Sequence, residues 1–545
     1  MSLFDKEGRL LLPEWLKTGN ALTSFEIKPI NNNMADLGED NTDYLYEDFS
    51  ISKTLDKAIE LLNVAFIEGR EAEARLAAKF VVQGFDLPPQ ILNLAKYILQ
   101  GEERKEKDPE EDVGSIKFLR NWLKKNPKDT LSWLDLARAY VAIGKMESAE
   151  KAITVSLSLQ PNHRLVVRNA SRFFVNIHHN DIAHKIILKQ PSLKEDPWLL
   201  SAEIAIAESY NRPLKMVSHA KRIIDSKKYS ACHLTELESS IATLELSNGL
   251  VKKARKLYMS SLLKPTDNSL AQAKWAERNS HIPKLVSSDL LAKHNGAYEA
   301  KLWEKYYQYE IPEAIELGMK WFEDEPYSVQ PAIMINYLAS LLDDYELCLK
   351  VTKYALNIDK DNETLKLNKI FAELCMLNEK QADSALSYID SCGDILKSLT
   401  LTDDNNTLAH TYANLGLLYY KINSLDLGRE YYDMAYETFA KIKSASGFVA
   451  LMNHYREATI SNSPWANELY EKMKSDFASF NSKQEPALVY YFLKMNLLKN
   501  NPNKWDEVKK TKLDLSFLKK EDVKQERTVT FNYNPKSPTI TISKK

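Results

Sequence analysis

The stretch Leu131–Pro161 constrains the chain more than any other. Trp133, Leu136, Ala137 and Tyr140 stand at i, i+3, i+4 and i+7, one face of an α-helix. Gly144 interrupts that pattern, Ala149, Ile153 and Ser156 open a second amphipathic run, and Pro161 ends it. Small Ala137 and Ala149 let two antiparallel helix backbones approach, while Trp133 and Tyr140 fill the space toward a neighbouring hairpin. Such a hairpin cannot bury its apolar face alone, so the pattern requires copies on both sides.

The copies are present. Pro127 precedes Pro161 by one repeat length, and one length further on Trp133, Tyr140, Ala149 and Ile153 become Val167, Phe174, Ala183 and Ile187. Tyr412, Leu415, Gly416 and Tyr419, with Gly428, Tyr432 and Ala435, give a second clear unit. Leu61, Leu62, Ala65, Gly69, Ala74, Ala78 and Val81 fit the same frame upstream. So do Ile241, Ala242, Gly249, Ala254, Tyr258 and Ser261, then Ala314, Gly318, Trp321 and Pro326, and Ile335, Ala339, Cys348 and Ala355. The pattern W-x2-L-A-x2-Y…A-x3-I…P resembles the tetratricopeptide (TPR) repeat. That resemblance implies an all-α fold, a superhelical solenoid of stacked helical hairpins with roughly ten to twelve repeats.

Composition agrees with a solenoid. At 545 residues the chain exceeds what one compact core supports, but a repeat array grows without that limit. A formal charge of −2 argues against wholesale binding of nucleic acid or acidic membrane. Four scattered cysteines, without C-x-x-C, fit a reducing compartment. No run approaches the length of a membrane span, and the N-terminus carries acids and no apolar core segment, unlike a secretory signal, so a cytoplasmic protein is expected.

The ends differ from the repeats. Residues 1–51 read as an extended, acidic arm, with a weakly alternating strand around Phe25 and Ile27. Asp36, Glu39, Asp40, Asp43, Glu47 and Asp48 follow without a base, and Tyr44, Tyr46 and Phe49 offer anchors for a partner. Helical repeats and a charged linker are expected over 52–112, one half of the solenoid over 113–278 and the other over 279–500, with a bend or boundary near Pro283. A linker or capping segment over 501–526 leads to a tail, 527–545, where Phe531 and Tyr533 alternate before Ile540 and Ile542, as in a β-hairpin. These short β-type arms, Phe25 and Ile27 at one end and Phe531 and Tyr533 at the other, are candidate docking arms.

No catalytic or cofactor-binding spacing is present: no Walker-type loop, G-x-G-x-x-G, G-x-S-x-G or H-E-x-x-H. The chain therefore reads as a non-enzyme with no cofactor and no metal. His178, His179 and His184 beside Asp181 lack a repeated ligand spacing and read as exposed or capping histidines. Cys348 holds a small-residue packing position, and Cys375 and Cys392 have no histidine partner. Tyr412, Tyr419 and Tyr432 fall at core positions, leaving Tyr420 and Tyr436 freer.

In TPR proteins the first helices of successive repeats line an inner groove. The resemblance places Leu134, Arg138, Val141, Arg168, Asn169 and Arg172 there. The family's carboxylate clamp is not matched, since Asn169 alone holds a clamp asparagine position, Arg138 replaces the other, and the lysine positions are not basic. What remains is a candidate partner-binding groove of Arg138, Arg168, Asn169 and Arg172, suited to acidic groups through forked hydrogen bonds. Internal ion pairing is the alternative, with Glu203 as an available acid. The resulting expectation is a non-catalytic scaffold or adaptor for a protein or peptide partner, homo- or hetero-oligomeric. The alternatives are a regulatory subunit docking by its terminal arms and an RNA-binding helical-repeat protein.

Overall fold

The computed structural model describes residues 41–67, 70–84, 89–100, 112–226, 228–279, 282, 284–325, 327–377, 396, 400–401, 404–478, 486–511, 513, 530–533 and 540–543. The first four helices are α1 (Asn41–Ile51), α2 (Leu55–Ile67), α3 (Glu71–Val81) and α4 (Pro89–Gln100). They share one small core built on Phe49, Leu61, Leu62, Ala65, Ala78 and Val81.

The last part of the expected extended arm is thus helical. Thr42, Leu45 and Phe49 recur at helical spacing and Phe49 is 1% exposed, edge-on to Phe80 at 5.4 Å. Asp48 pairs with Lys57 at 2.8 Å, so part of the acidic run is neutralised locally. Burial of one aromatic ring on a nascent helix outweighs the polarity of its neighbours. Phe49 is therefore a core residue, while Tyr46 remains exposed.

The solenoid follows. Its first part comprises α5 (Asp112–Lys125), α6 (Thr130–Ala142), α7 (Met146–Leu159), α8 (Arg164–Asn176), α9 (Asn180–Leu188), α10 (Pro197–Ser209), α11 (Val217–Asp225), α12 (Ala231–Ser247), α13 (Val251–Ser261) and α14 (Asp267–Asn279). Its second part comprises α15 (Ser288–Lys293), α16 (Tyr298–Tyr307), α17 (Ile311–Asp324), α18 (Gln330–Leu341), α19 (Tyr345–Ile358) and α20 (Glu363–Met376). After these come α21 (Asn405–Lys421), α22 (Leu425–Lys441), α23 (Ser446–Ile460), α24 (Ala466–Ala478), α25 (Pro486–Asn500) and α26 (Trp505–Lys510). Consecutive helices pair as hairpins, and first helices of neighbouring hairpins pack on one another, α10 on α12 and α12 on α14.

One turn chemistry recurs through the hairpins. A left-handed residue follows the first helix: Gly144 (φ 73°), His178 (61°), Asn211 (51°), Gly249 (76°), Tyr309 (61°), Asp343 (56°) and Asn423 (59°). The next amide donates back across the turn, as in Lys145 N to Tyr140 O at 2.8 Å and His179 N to Phe174 O at 2.8 Å. This closes the helix end as a Schellman-type cap. The opposite ends use side-chain caps: Asp129, Asp196, Asp344, Asn362 and Asp404 each accept an amide of the first turn.

The small residues do what their spacing implies. Ala137, Ala149, Ala183, Ala254, Ala314 and Ala339 are all 0% exposed. Around the expected bend the core is continuous: Tyr258, Trp275, Ile282, Val286 and Leu291 pack as one cluster. Glu277 accepts the Val286 amide at 2.7 Å, which ties the connecting segment back to α14. Pro283 itself lies outside the described residues, as do Phe25 and Ile27. At the C-terminus β1 (Thr530–Tyr533) and β2 (Ile540–Ser543) pair antiparallel, with Phe531 opposite Ile542 and Tyr533 opposite Ile540.

Curvature brings distant parts together. α19 lies against α6, and α25 lies against α16 and α18 as well as α23. α25 is buried almost all round, including Leu488, Tyr491, Phe492 and Leu498. A helix apolar on every side belongs in an interior, so α25 fills the space enclosed by the second part of the solenoid.

Candidate functional site

Arg138 sits on α6, and Arg168, Asn169 and Arg172 sit on α8, where a spacing of four puts the two arginines on one face. The structure brings this strip together, and turns it onto the chain's own later segment. Arg138 Nη2 donates to the Asp324 carbonyl at 2.6 Å, across 186 positions of sequence. The Arg172 guanidinium lies 5.5 Å over the Tyr327 ring. Tyr327 is 2% exposed and joins the core cluster that holds Leu134, Val141 and Val166. Ile358, the end of α19, packs against the same cluster.

Arg168 is 2% exposed and Asn169 is 0% exposed, so neither faces solvent. Arg168 lies 4.8 Å over the Trp198 indole, and Arg164 lies 5.8 Å over the same ring. The acid beside Arg168 is Glu236, 3.9 Å away, whose carboxylate also accepts Asn268 at 2.8 Å. Glu203 pairs instead with His184 at 3.1 Å. The expected Glu203 partnership is thus replaced by an acid one hairpin further on. Beside Arg172, burial pushes the Glu325 carboxyl up to about 7; Glu299 and Asp324 push the same way, and the Arg172 charge opposes them.

The interior of the second part is a charged and hydroxylated network. Arg456, 2% exposed, donates to Glu457 at 2.7 Å, Tyr491 at 3.1 Å, Tyr345 at 3.3 Å and the Cys375 sulfur at 3.4 Å. Lys421 reaches Glu457 at 3.0 Å, and Lys494 pairs with Asp343. Desolvation pushes the Cys375 thiol up despite the arginine, and burial does the same to Cys348. Neither thiol is therefore an activated nucleophile.

Tyr420, expected to be freer, is 6% exposed and carries two bonds: His454 Nε2 lies 2.9 Å from its hydroxyl and Trp465 donates to it at 2.8 Å. Tyr436 bonds the other His454 nitrogen at 2.9 Å. Burial drives the His454 pKa down to about 3, so the imidazole is neutral and serves this aromatic cluster as a hydrogen-bonding joint.

The histidine group lies at the α8–α9 turn. His178 is its left-handed residue, His179 stacks on Phe174 at 6.4 Å, and His184 bridges Glu203 to Arg212, whose Nη1 is 2.9 Å from Nδ1. Arg212 in turn pairs with Asp181. A shallow pocket of about 470 Å³ opens here, lined by His178, His179, Asp181, Ile182 and Tyr210 among others. Among the described residues no cluster of three or more His, Cys, Asp or Glu is arranged to hold a metal ion.

The outer surface carries a feature the sequence reading passed over. On α13 and its exit turn Lys252, Lys253, Arg255, Lys256 and Lys264 are all exposed, and no acid falls between them. Leu250, Val251, Met259 and Leu263, among the same residues, are 44%, 41%, 56% and 69% exposed. The signal was available as a basic cluster, K-K-A-R-K, with no acid in it, hidden by a chain-wide charge of −2.

Fold and surfaces together define the class: an all-α, TPR-like solenoid of helical hairpins whose inner strip is occupied from within. No known family profile matches the chain, and no curated protein sequence matches it. Among solved structures, the crystal structure of yeast Tom70 is similar over 84% of this chain and 91% of that one, at 13% identity and a TM-score of 0.24. A structure of Naa15/Naa10 bound to HypK-THB is similar over 88% of this chain and 87% of that one, at 14% identity and a TM-score of 0.21. Among the described residues no helix is long and apolar enough to cross a membrane.

Proposed function

We propose that the chain is a non-catalytic scaffold that binds a protein partner through the outer surface of its solenoid. One observation carries this reading. The inner arginines Arg138, Arg168 and Arg172 are engaged by Asp324, Tyr327, Trp198 and Glu236 and Asn169 is fully buried, whereas α13 leaves apolar and cationic side chains exposed. A solenoid needs only polar end caps and a solvated exterior to be soluble, so an outward row of Met and Leu signals contact. The buried thiols and the neutral His454 support a structural role for the interior groups.

Capture by the immobilised full chain from the native cell extract tests the reading. Proteins retained above the level of a control solenoid of similar size are expected. Retention no better than the control, or selective retention of RNA at low salt, overturns it.

A further inference from the structure

We infer that the outward face of α13 docks an acidic, amphipathic helical segment of a partner protein; this rests on the scaffold reading and names the chemistry of the partner. Four bases, Lys252, Lys253, Arg255 and Lys256, fall within five residues, and Lys264 follows at the exit turn. All five are exposed, and none has a charged or hydrogen-bonding side-chain partner among the described residues. Lys221 on α11, by contrast, is paired with Glu245 of α12, the helix that forms the hairpin with α13. The acid on that flank is already engaged, so the α13 cations attract an anionic surface from outside.

The apolar side chains decide which kind. Val251, Met259 and Leu263 recur at multiples of four, with Arg255 completing the row. Within α13 the row Val251, Arg255 and Met259 is one ridge of the helix, the unit that seats in the groove of a second helix, and Leu263 extends it in the exit turn. The buried side of α13, Ala254, Tyr258 and Ser261, holds it in the solenoid, so the ridge is presented on a fixed support. Nucleic acid gains nothing from a methionine and a leucine beside its phosphates. Lipid also fits less well, because Val251 lies among longer lysine and arginine side chains and a flat bilayer meets the ammonium groups first. A partner helix of about 12 residues, roughly 18 Å, covers the row while its Asp and Glu side chains meet the flanking bases.

The test uses the full chain and four probes: a helical peptide with one leucine stripe flanked by glutamates, the same peptide with lysines for the glutamates, phosphatidylserine vesicles, and a single-stranded RNA. The glutamate peptide is expected to bind at least about tenfold tighter than the lysine peptide, and to weaken about tenfold in Lys252→Glu/Lys256→Glu and severalfold in Met259→Ser. Met259→Ser leaves the charge untouched and keeps the test valid should the double variant fold poorly. Benzoylphenylalanine in place of Met259 is expected to cross-link, in extract, to segments rich in Asp and Glu. Equal peptide binding by the double variant, preference for vesicles or RNA, or cross-linked segments without acidic excess overturns the inference. If wild type and double variant capture the same proteins from extract, the inference fails and the scaffold reading stands; if wild type captures none, both fail.

Discussion

Two glycines with nearly the same backbone separate local strain from long-range closure. Gly144 has φ 73° and Gly249 has φ 76°, each at the turn of its hairpin. A Cβ at Gly249 meets nothing within 4 Å, whereas a Cβ at Gly144 stands 2.5 Å from the Asn357 carbonyl oxygen and 3.1 Å from the Asn357 Cβ. Alanine in the left-handed region costs about 1 kcal/mol wherever it occurs, so Gly249→Ala is expected to lose that much and no more. At Gly144 the obstacle is backbone, and relieving it means moving α19 off α6. Overpacking of this kind adds about 1–3 kcal/mol, so Gly144→Ala is expected to lose about 2–4 kcal/mol in all. A long repeat array does not unfold as one unit, so the assay is amide-resolved native-state hydrogen exchange in each variant. The prediction is that Gly144→Ala lowers the opening free energy around Ile358 and Tyr327, far from position 144 in sequence. Equal losses in the two variants, or an effect confined to the α6–α7 hairpin, would refute closure of the solenoid through this contact.

Three further outcomes follow from the interior charges. Lys494→Met leaves Asp343 buried without its cation and is expected to lower the opening free energy of the second part of the solenoid by about 3–5 kcal/mol, with most of the loss recovered in Lys494→Met/Asp343→Asn, as read by native-state hydrogen exchange over α18 and α25. Glu325, its pKa raised to about 7 from the usual 4.5, favours the protonated form when folded, so its stabilising share is present below about pH 4.5 and is lost as pH rises through 7. Glu325→Gln is therefore expected to raise the melting temperature at pH 8 and leave it unchanged near pH 4. Arg172→Ala and Tyr327→Ala are expected to be non-additive, with a coupling of about 0.5–2 kcal/mol from the stacked pair in a double-mutant cycle.

The hairpins were legible because their signal is local. Ala137 and Ala149, or Ile241 and Ala254, announce a nest of two helices within a few turns of sequence, and each is buried as its position implies. The turn residues were less legible, since His178, Tyr309 and Asp343 hold the left-handed conformation that glycine marks at position 144. Closure was not legible at all. Arg138 and Asp324 meet only after the small rotations of many hairpins have accumulated, and no spacing in the sequence records that sum. The same distance effect gave Arg168 the acid Glu236 in place of Glu203. Tyr420 shows a related limit: its hydroxyl partners, His454 and Trp465, come from the next hairpin, so periodicity along its own helix says nothing of its burial. The basic run of α13 was in plain view, but a whole-chain charge averages it away.

The most direct test of closure places a photo-cross-linker where α6 and α19 meet. The Asn357 Cβ stands 3.1 Å from where a Cβ on Gly144 would lie, and Asn357 is exposed. With benzoylphenylalanine in place of Asn357 and Gly144 left intact, irradiation is expected to join position 357 to the α6–α7 turn of the same chain, read by peptide mass spectrometry. Cross-links confined to α19 and its own hairpin, with none to the α6–α7 turn, would contradict closure of the solenoid.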